Sequence, residues 1–190
     1  MPMTTSLHTP PPHAASEQPF NSWIGTGDTD TINGVIRRAA EQWPDRIYLD
    51  FSGETWTYRQ VYQRSCAYAA GLAQAGVRWG DTVATVLENH IDAVTLWFGI
   101  NFLGAISVPV NTANRGEFMR HQLDDSEAKI VVAESGYAER ILDVADGIEN
   151  LQTLLYRGDV PGRTQSGIQL APVTDILRDG TDFTPPYGAS

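Results

Sequence analysis

The sequence predicts an α/β fold, a mainly parallel sheet with helices on both faces. Three observations carry that reading. From Val83 onward, short apolar runs alternate with longer segments of helical periodicity. The runs themselves, Val83 to Leu87 or Ile130 to Ala133, are apolar throughout, as in strands buried on both faces. Glycines and capping residues punctuate the segments where a helix would stop or start. Strands joined through helices in this way make right-handed crossovers, which force neighbouring strands parallel.

The first element is a helix from Ile32 to Trp43. Ile32, Val35, Ile36, Ala39, Ala40 and Trp43 share one face, Asp30 or Thr31 is the N-cap, and Pro44 stops it. Ile47, Leu49 and Phe51 then alternate with Tyr48 and Asp50. Ser52-Gly53-Glu54 turns the chain into Thr55-Trp56-Thr57, which makes a hairpin. Thr57 and Gln60 form a capping box for a long helix through Val61, Tyr68, Leu72 and Ala75 that stops at Gly76.

The remaining elements follow the alternation. Val83 to Leu87 is a strand, and Asn89 caps a helix through Val94, Phe98 and Leu103 to Gly104. Ile106 to Val110 is the next strand, and Asn114 with Glu117 opens a helix through Met119 and Leu123. Lys129 to Ala133 is a third strand, Ser135 opens a helix around Ile141 to Ala145, and Leu151 to Tyr156 is a fourth strand. Three regions result. Residues 1–27 hold five of the eleven prolines and no periodic apolar pattern, so they read as a disordered arm. Residues 28–157 form the α/β unit. Residues 158–190 have the glycine- and proline-rich composition of a linker, with one short helical patch at Asp175 to Arg178.

Composition excludes several functions. The formal charge is −10, and no basic run is longer than Arg37-Arg38, so a nucleic-acid-gripping surface is not expected. The one lysine, Lys129, lies in Ala128-Lys129-Ile130 without preceding glycines, which rules out a Walker-type phosphate loop. Cys66 is the only cysteine, so no intrachain disulfide forms, and its spacing suits a small buried helix residue. The first basic residue is Arg37, and no apolar run of the first thirty positions resembles a signal peptide. The stretch Leu96 to Val110 is interrupted by Asn101 and falls short of the roughly 20 residues that span a bilayer. These features read as a cytoplasmic protein with no membrane span.

In an open parallel sheet, ligands sit beyond the carboxyl ends of the strands. That points to Glu88, Asn89 and His90, to Asn111, Thr112 and Asn114, and to Glu134 and Ser135. Asn89, Asn114 and Ser135 are each accounted for as helix N-caps. His8 and His13 fall in the arm, and neither they nor His90 and His121 have the helical spacing of a zinc site. The groups Asp124, Asp125, Glu127 and Asp143, Asp146, Glu149 read as solvated helix ends. Gly25-Thr26-Gly27 follows no strand and lacks the third glycine of a dinucleotide loop, and no Gly-x-Ser-x-Gly elbow is present. No residue is assigned a catalytic, cofactor-binding or metal-ligating role.

The runs Asp45-Arg46-Ile47-Tyr48-Leu49, Thr57-Tyr58-Arg59-Gln60-Val61 and Gly71 through Ala84 resemble the N-terminal part of the adenylate-forming enzymes, the AMP-binding acyl-CoA synthetases and ligases. Phe98-Gly99, Phe102-Leu103-Gly104-Ala105-Ile106-Ser107-Val108-Pro109-Val110-Asn111 and Asp125 to Val132 extend the resemblance over residues 30–157. One departure is Trp56-Thr57-Tyr58-Arg59-Gln60-Val61, where the family has a Leu-Thr-Tyr-x-Glu-Leu pattern. Val108 to Ala113 and the helix from Arg115 to Asp125 are similar to the carnitine or medium-to-long acyl type.

The resemblance implies a two-step reaction: a carboxylic acid and ATP give an acyl-AMP, and coenzyme A then displaces AMP. ATP, Mg2+ and coenzyme A are the implied cofactors of a full-length member. The family's chemistry rests on a Ser/Thr/Gly-rich loop ending in lysine, a ribose-binding aspartate, a hinge and a further lysine, and none of these occurs in the 190 residues. The expectation is an N-terminal fragment that is inactive alone, with self-association through an exposed apolar surface. The alternative is a stand-alone flavodoxin-like ligand-binding or interaction domain.

Overall fold

The computed structural model describes residues 31–162, 164–177 and 183. The arm with His8, His13 and Gly25-Thr26-Gly27 and the N-cap candidate Asp30 lie outside these residues. Helix α1 (Ile32–Gln42) begins at Thr31, whose hydroxyl accepts the Gly34 amide at 3.0 Å. Strands β1 (Ile47–Phe51) and β2 (Glu54–Thr57) pair antiparallel. Ser52 and Gly53 between them both have positive φ, 53° and 83°, which matches the right-handed twist of a hairpin.

Helix α2 (Tyr58–Gln74) opens on the expected capping box. The Thr57 amide donates to Gln60 Oε1 at 2.9 Å, and the Gln60 amide donates to the Thr57 hydroxyl at 3.3 Å. It closes with Gly76 at φ 99°, where the Val77 and Gly76 amides donate to the Leu72 and Ala73 carbonyls. The same pairing, Ala105 to Ile100 and Gly104 to Asn101, ends α3 (Ile91–Phe102).

The main sheet contains β3 (Thr82–Val86), β4 (Ile106–Pro109), β5 (Ile130–Glu134), β6 (Thr153–Arg157) and β7 (Gln169–Pro172). All adjacent pairs are parallel, in the order β4-β3-β5-β6-β7. The side chains of β5 alternate between two cores. Ile130 and Val132 join α1, α2 and α3 on one face; Val131 and Ala133 join α4 (Gly116–Asp125) and α5 (Ser135–Leu142) on the other. The sheet is therefore covered on both faces, as the sequence predicts.

Several local expectations change. The N-cap of α3 is His90 rather than Asn89, because His90 Nδ1 offers a lone pair to the Asp92 amide at 3.2 Å. Helix α4 starts after Arg115, and Asn114 instead donates through Nδ2 to Gln122 Oε1. Ser135 is the first residue inside α5, with Glu134 as the cap position. That helix ends at Leu142, and Ala145–Gly147 forms a separate 3-10 turn.

The sequence reading places no strand after Arg157, yet β7 pairs with β6 along its length. A 3-10 turn, Val173–Ile176, then returns the chain to α2. Gly71 makes this contact achievable, since a Cβ there would lie 1.6 Å from the Ile176 carbonyl oxygen. Only a short apolar alternation surrounded by glycines and prolines marks β7 in the sequence, and pairing with β6 supplies what propensity does not.

Candidate functional site

Numbered by appearance in the chain, the sheet order is that of a flavodoxin-like doubly wound fold. Strand β3 comes first, β4 lies on one side of it, and β5 lies on the other. The chain therefore diverges between β3 and β5, and their carboxyl ends open the crevice where such folds hold ligands.

Two groups of side chains occupy this edge. At the rim, the Tyr137 hydroxyl on α5 donates to Glu88 Oε1 after β3. That hydrogen bond, with a smaller contribution from desolvation, pushes the Tyr137 hydroxyl above its ordinary range. Arg140 lies 4.8 Å from the Tyr137 ring centroid and donates to the Thr112 carbonyl at 3.2 Å. Asn111 turns back on its own loop, accepting the Ala113 amide at 2.8 Å.

Deeper in, Asp92 on the first turn of α3 is bridged by two guanidiniums. Arg64 of α2 donates through Nε to Oδ1 at 2.7 Å, and Arg157 at the end of β6 donates through Nε to Oδ2 at 2.9 Å. Arg157 also holds Glu134 through Nη1 at 3.0 and 3.2 Å. Burial works to raise the Asp92 carboxyl, but the hydrogen bonds from Arg157 and Arg64 and the Arg64 charge outweigh it. The carboxyl lies below its ordinary range. Burial, and then the neighbouring Asp92 carboxylate, push the Tyr68 hydroxyl upward.

Of the positions picked from sequence, the structure brings Glu88, Thr112, Glu134 and His90 to this edge in contact with partners. Asn89 lines a cavity of about 330 Å3 between α3 and the ends of β3 and β4, with Leu87, Val94, Trp97 and Pro109. Ser135 packs beside Gly158, its Oγ 3.0 Å from where a Cβ would stand. A second cavity, of about 280 Å3, lies beside Asp92. Arg64, Asp92, Tyr137, Arg140 and Arg157 were not singled out from sequence. The one available signal was Asp92, a charge inside the apolar run Ile91 to Leu96.

The remaining candidates lie elsewhere. Cys66 is 1% exposed, and burial pushes its thiol up to about 11, only partly offset by a hydrogen bond with Tyr62. Lys129 precedes β5, at the opposite edge from the crevice, and pairs with Asp81 at 3.6 Å. His121 pairs with Asp125 at 3.4 Å, Asp124 accepts the Glu149 amide at 3.1 Å, and Asp146 accepts from Gln165. Among the described residues no group of three or more His, Cys, Asp or Glu side chains converges on a common point. The arrangement offers guanidinium donors and a carboxylate-paired hydroxyl, groups that can bind and orient a ligand.

Comparison with known proteins assigns the family. The model of the AMP-binding enzyme family matches residues 36–175, and the chain belongs to that family. It is 33% identical over 113 residues to the medium/long-chain-fatty-acid–CoA ligase FadD6 of Mycobacterium tuberculosis, covering 60% of this chain and 19% of that protein. It is 31% identical over 137 residues to the uncharacterized protein Rv1549 of the same organism, covering 71% of this chain and 77% of that one. A solved structure described as a long-chain-fatty-acid CoA ligase from Rhodopseudomonas palustris superposes with a TM-score of 0.73 at 29% identity, covering 82% of this chain and 38% of that one. The chain thus spans well under half the length of the ligases it matches. No helix among the described residues is long and apolar enough to cross a membrane.

Proposed function

We propose that this chain is the N-terminal part of an ATP-dependent acyl-CoA synthetase, the α/β unit on which the adenylating groups of a larger protein are assembled. The observation that carries the reading is the family match over residues 36–175, together with its small share of each matched ligase. The reaction joins a carboxylic acid to coenzyme A through an acyl-AMP, with ATP and Mg2+ as co-reactants. The acid is of the medium-to-long acyl class, in keeping with the similarity to FadD6. The setting is the cytoplasm.

The 190 residues contain no Ser/Thr/Gly-rich loop ending in lysine and one lysine in all, so on this reading the chain alone does not form an adenylate. ATP–pyrophosphate exchange by the purified chain, with a panel of medium- and long-chain carboxylates, is expected to stay at background. Sustained exchange that depends on the carboxylate overturns the inactivity.

One observation favours a second reading, a stand-alone binding domain on the same fold. The match to Rv1549 covers 77% of that protein, so the similarity there extends over most of a chain of comparable size. Saturable binding of a nucleotide or acyl-AMP by the chain alone, without turnover, would select this reading.

A further inference from the structure

Helix α1 leaves part of its apolar stripe uncovered. Ile36 and Ala39 are buried, Ile36 within the core shared with α2 and α3, whereas Ile32 and Val35 are 46% and 43% exposed. Thr31 is the N-cap, so Val35 is the fourth residue of the helix. An apolar residue immediately before an N-cap often packs on that position and fixes the path by which the chain enters. The residue before this cap is Asp30, which has no apolar surface to offer. A cover for Val35 has to come from farther along the chain.

The arm that precedes α1 has the composition and the reach to supply it. Residues 25–30 are Gly, Thr, Gly, Asp, Thr and Asp, and the next large apolar side chains upstream are Ile24, Trp23 and Phe20. Seven residues separate Ile24 from Ile32. They span up to about 25 Å, while Ile32 and Val35 are about 4.5 Å apart along the helix axis. The chain can therefore double back, and Gly25 and Gly27 ease the reversal. A tether this short holds the three side chains near α1 at high effective concentration, so a small contact area is sufficient. Charge favours the same placement. The first turn of α1 contains no acidic residue, and Asp28 and Asp30 put two carboxylates beside its positive end. A segment too polar to build a core of its own can still order on a surface that is already folded.

We propose that Phe20, Trp23 and Ile24 fold back over Ile32 and Val35, so that the end of the arm covers α1 of the same chain. The inference stands apart from the ligase reading, since it involves neither ATP nor an acyl group.

Nuclear Overhauser spectra of the isotopically labelled 190-residue chain test it. Contacts from the Trp23 indole protons to the methyl groups of Ile32 and Val35 are expected, with an intensity per molecule that dilution does not change. Val35 is exposed, so Val35→Asp leaves the core intact; it should abolish these contacts and move the Trp23 indole N–H signal toward that of an unstructured peptide. Trp23→Ser should shift the Val35 and Ile36 amide signals in turn. Absence of any contact between Trp23 and α1 in the parent chain overturns the proposal. Contacts that fade on dilution assign the position to a second copy of the chain and overturn it as well. So does an unchanged Trp23 signal in a folded Val35→Asp variant.

Discussion

Asp92 shows how one carboxylate can organise three distant parts of a chain. It lies 28 residues from Arg64 and 65 from Arg157, and it ties α2, α3 and the end of β6 together. Removing it takes the carboxylate from Arg64 and leaves Arg157 with Glu134 alone, so Asp92→Ala is expected to cost about 1–3 kcal/mol at neutral pH. The pH dependence follows from the direction of the shift. The folded carboxyl lies below its ordinary range, so the ionised form is the one the fold prefers. Its contribution is complete above the unfolded value of about 3.9 and is lost as pH falls through the lower folded value. Urea titrations of the parent chain and Asp92→Asn should therefore show a constant stability gap at neutral pH that narrows on acidification below about pH 4. A gap that stays the same down to the acid transition would contradict the assignment. This site was barely legible beforehand. Asp92 could be seen as a charge in an apolar run, but nothing local announces partners so far away in sequence.

Helix boundaries were easier to read than sites, because their chemistry is local. Thr57 and Gln60 satisfy each other within one turn, and Gly76 and Gly104 take positive φ where α2 and α3 end. The N-caps of α3 and α4 were misplaced by one residue, since Asn89 and Asn114 suit the role by type but His90 and Arg115 hold it by geometry. Packing between helices sets a stricter condition. A Cβ on Gly99 would lie 2.8 Å from Tyr68 Cβ and 2.9 Å from the Ser65 carbonyl oxygen, both on the facing side of α2. Gly99→Ala should lower stability by about 1–3 kcal/mol. Gly136→Ala in α5, where nothing lies within 4 Å, should raise it by about 0.4–1 kcal/mol. Thermal melts of the two variants check both signs.

The sheet edges carry a related device. The Ile106 and Val110 amides point to β3 and the Gln169 amide points to β6, so Pro109 and Pro172 fall at outward-facing positions, where they offer no donor to another strand. Pro109→Val restores one donor on the β4 edge. Sedimentation of that variant should show larger species than the parent chain at equal concentration; unchanged sedimentation would remove this role for Pro109.

At the scale of the whole molecule, side chains that ordinarily help to fill a core remain on the surface. Phe118 is 78% exposed, and Ile47 and Ile106 are 55% and 54% exposed, on α4, the hairpin and the β4 edge. In the proposed larger ligase such positions would be available to the rest of the protein. The isolated chain is accordingly expected to associate weakly and reversibly as its concentration rises, which sedimentation velocity would detect. A monodisperse monomer across the accessible range would count against the fragment reading.

The sequence by itself determined the architecture and the family. Apolar period, capping pairs and glycine stops act over a few residues, and their order along residues 30–157 carried both the α/β layout and the resemblance to AMP-binding ligases. Only the tertiary structure decided the strand order, the late strand β7 and the cluster of Asp92, Arg64 and Arg157. Parallel pairing and buried ion pairs join residues that are far apart in the chain, and their energy exists only once the sheet has brought them within a few ångströms.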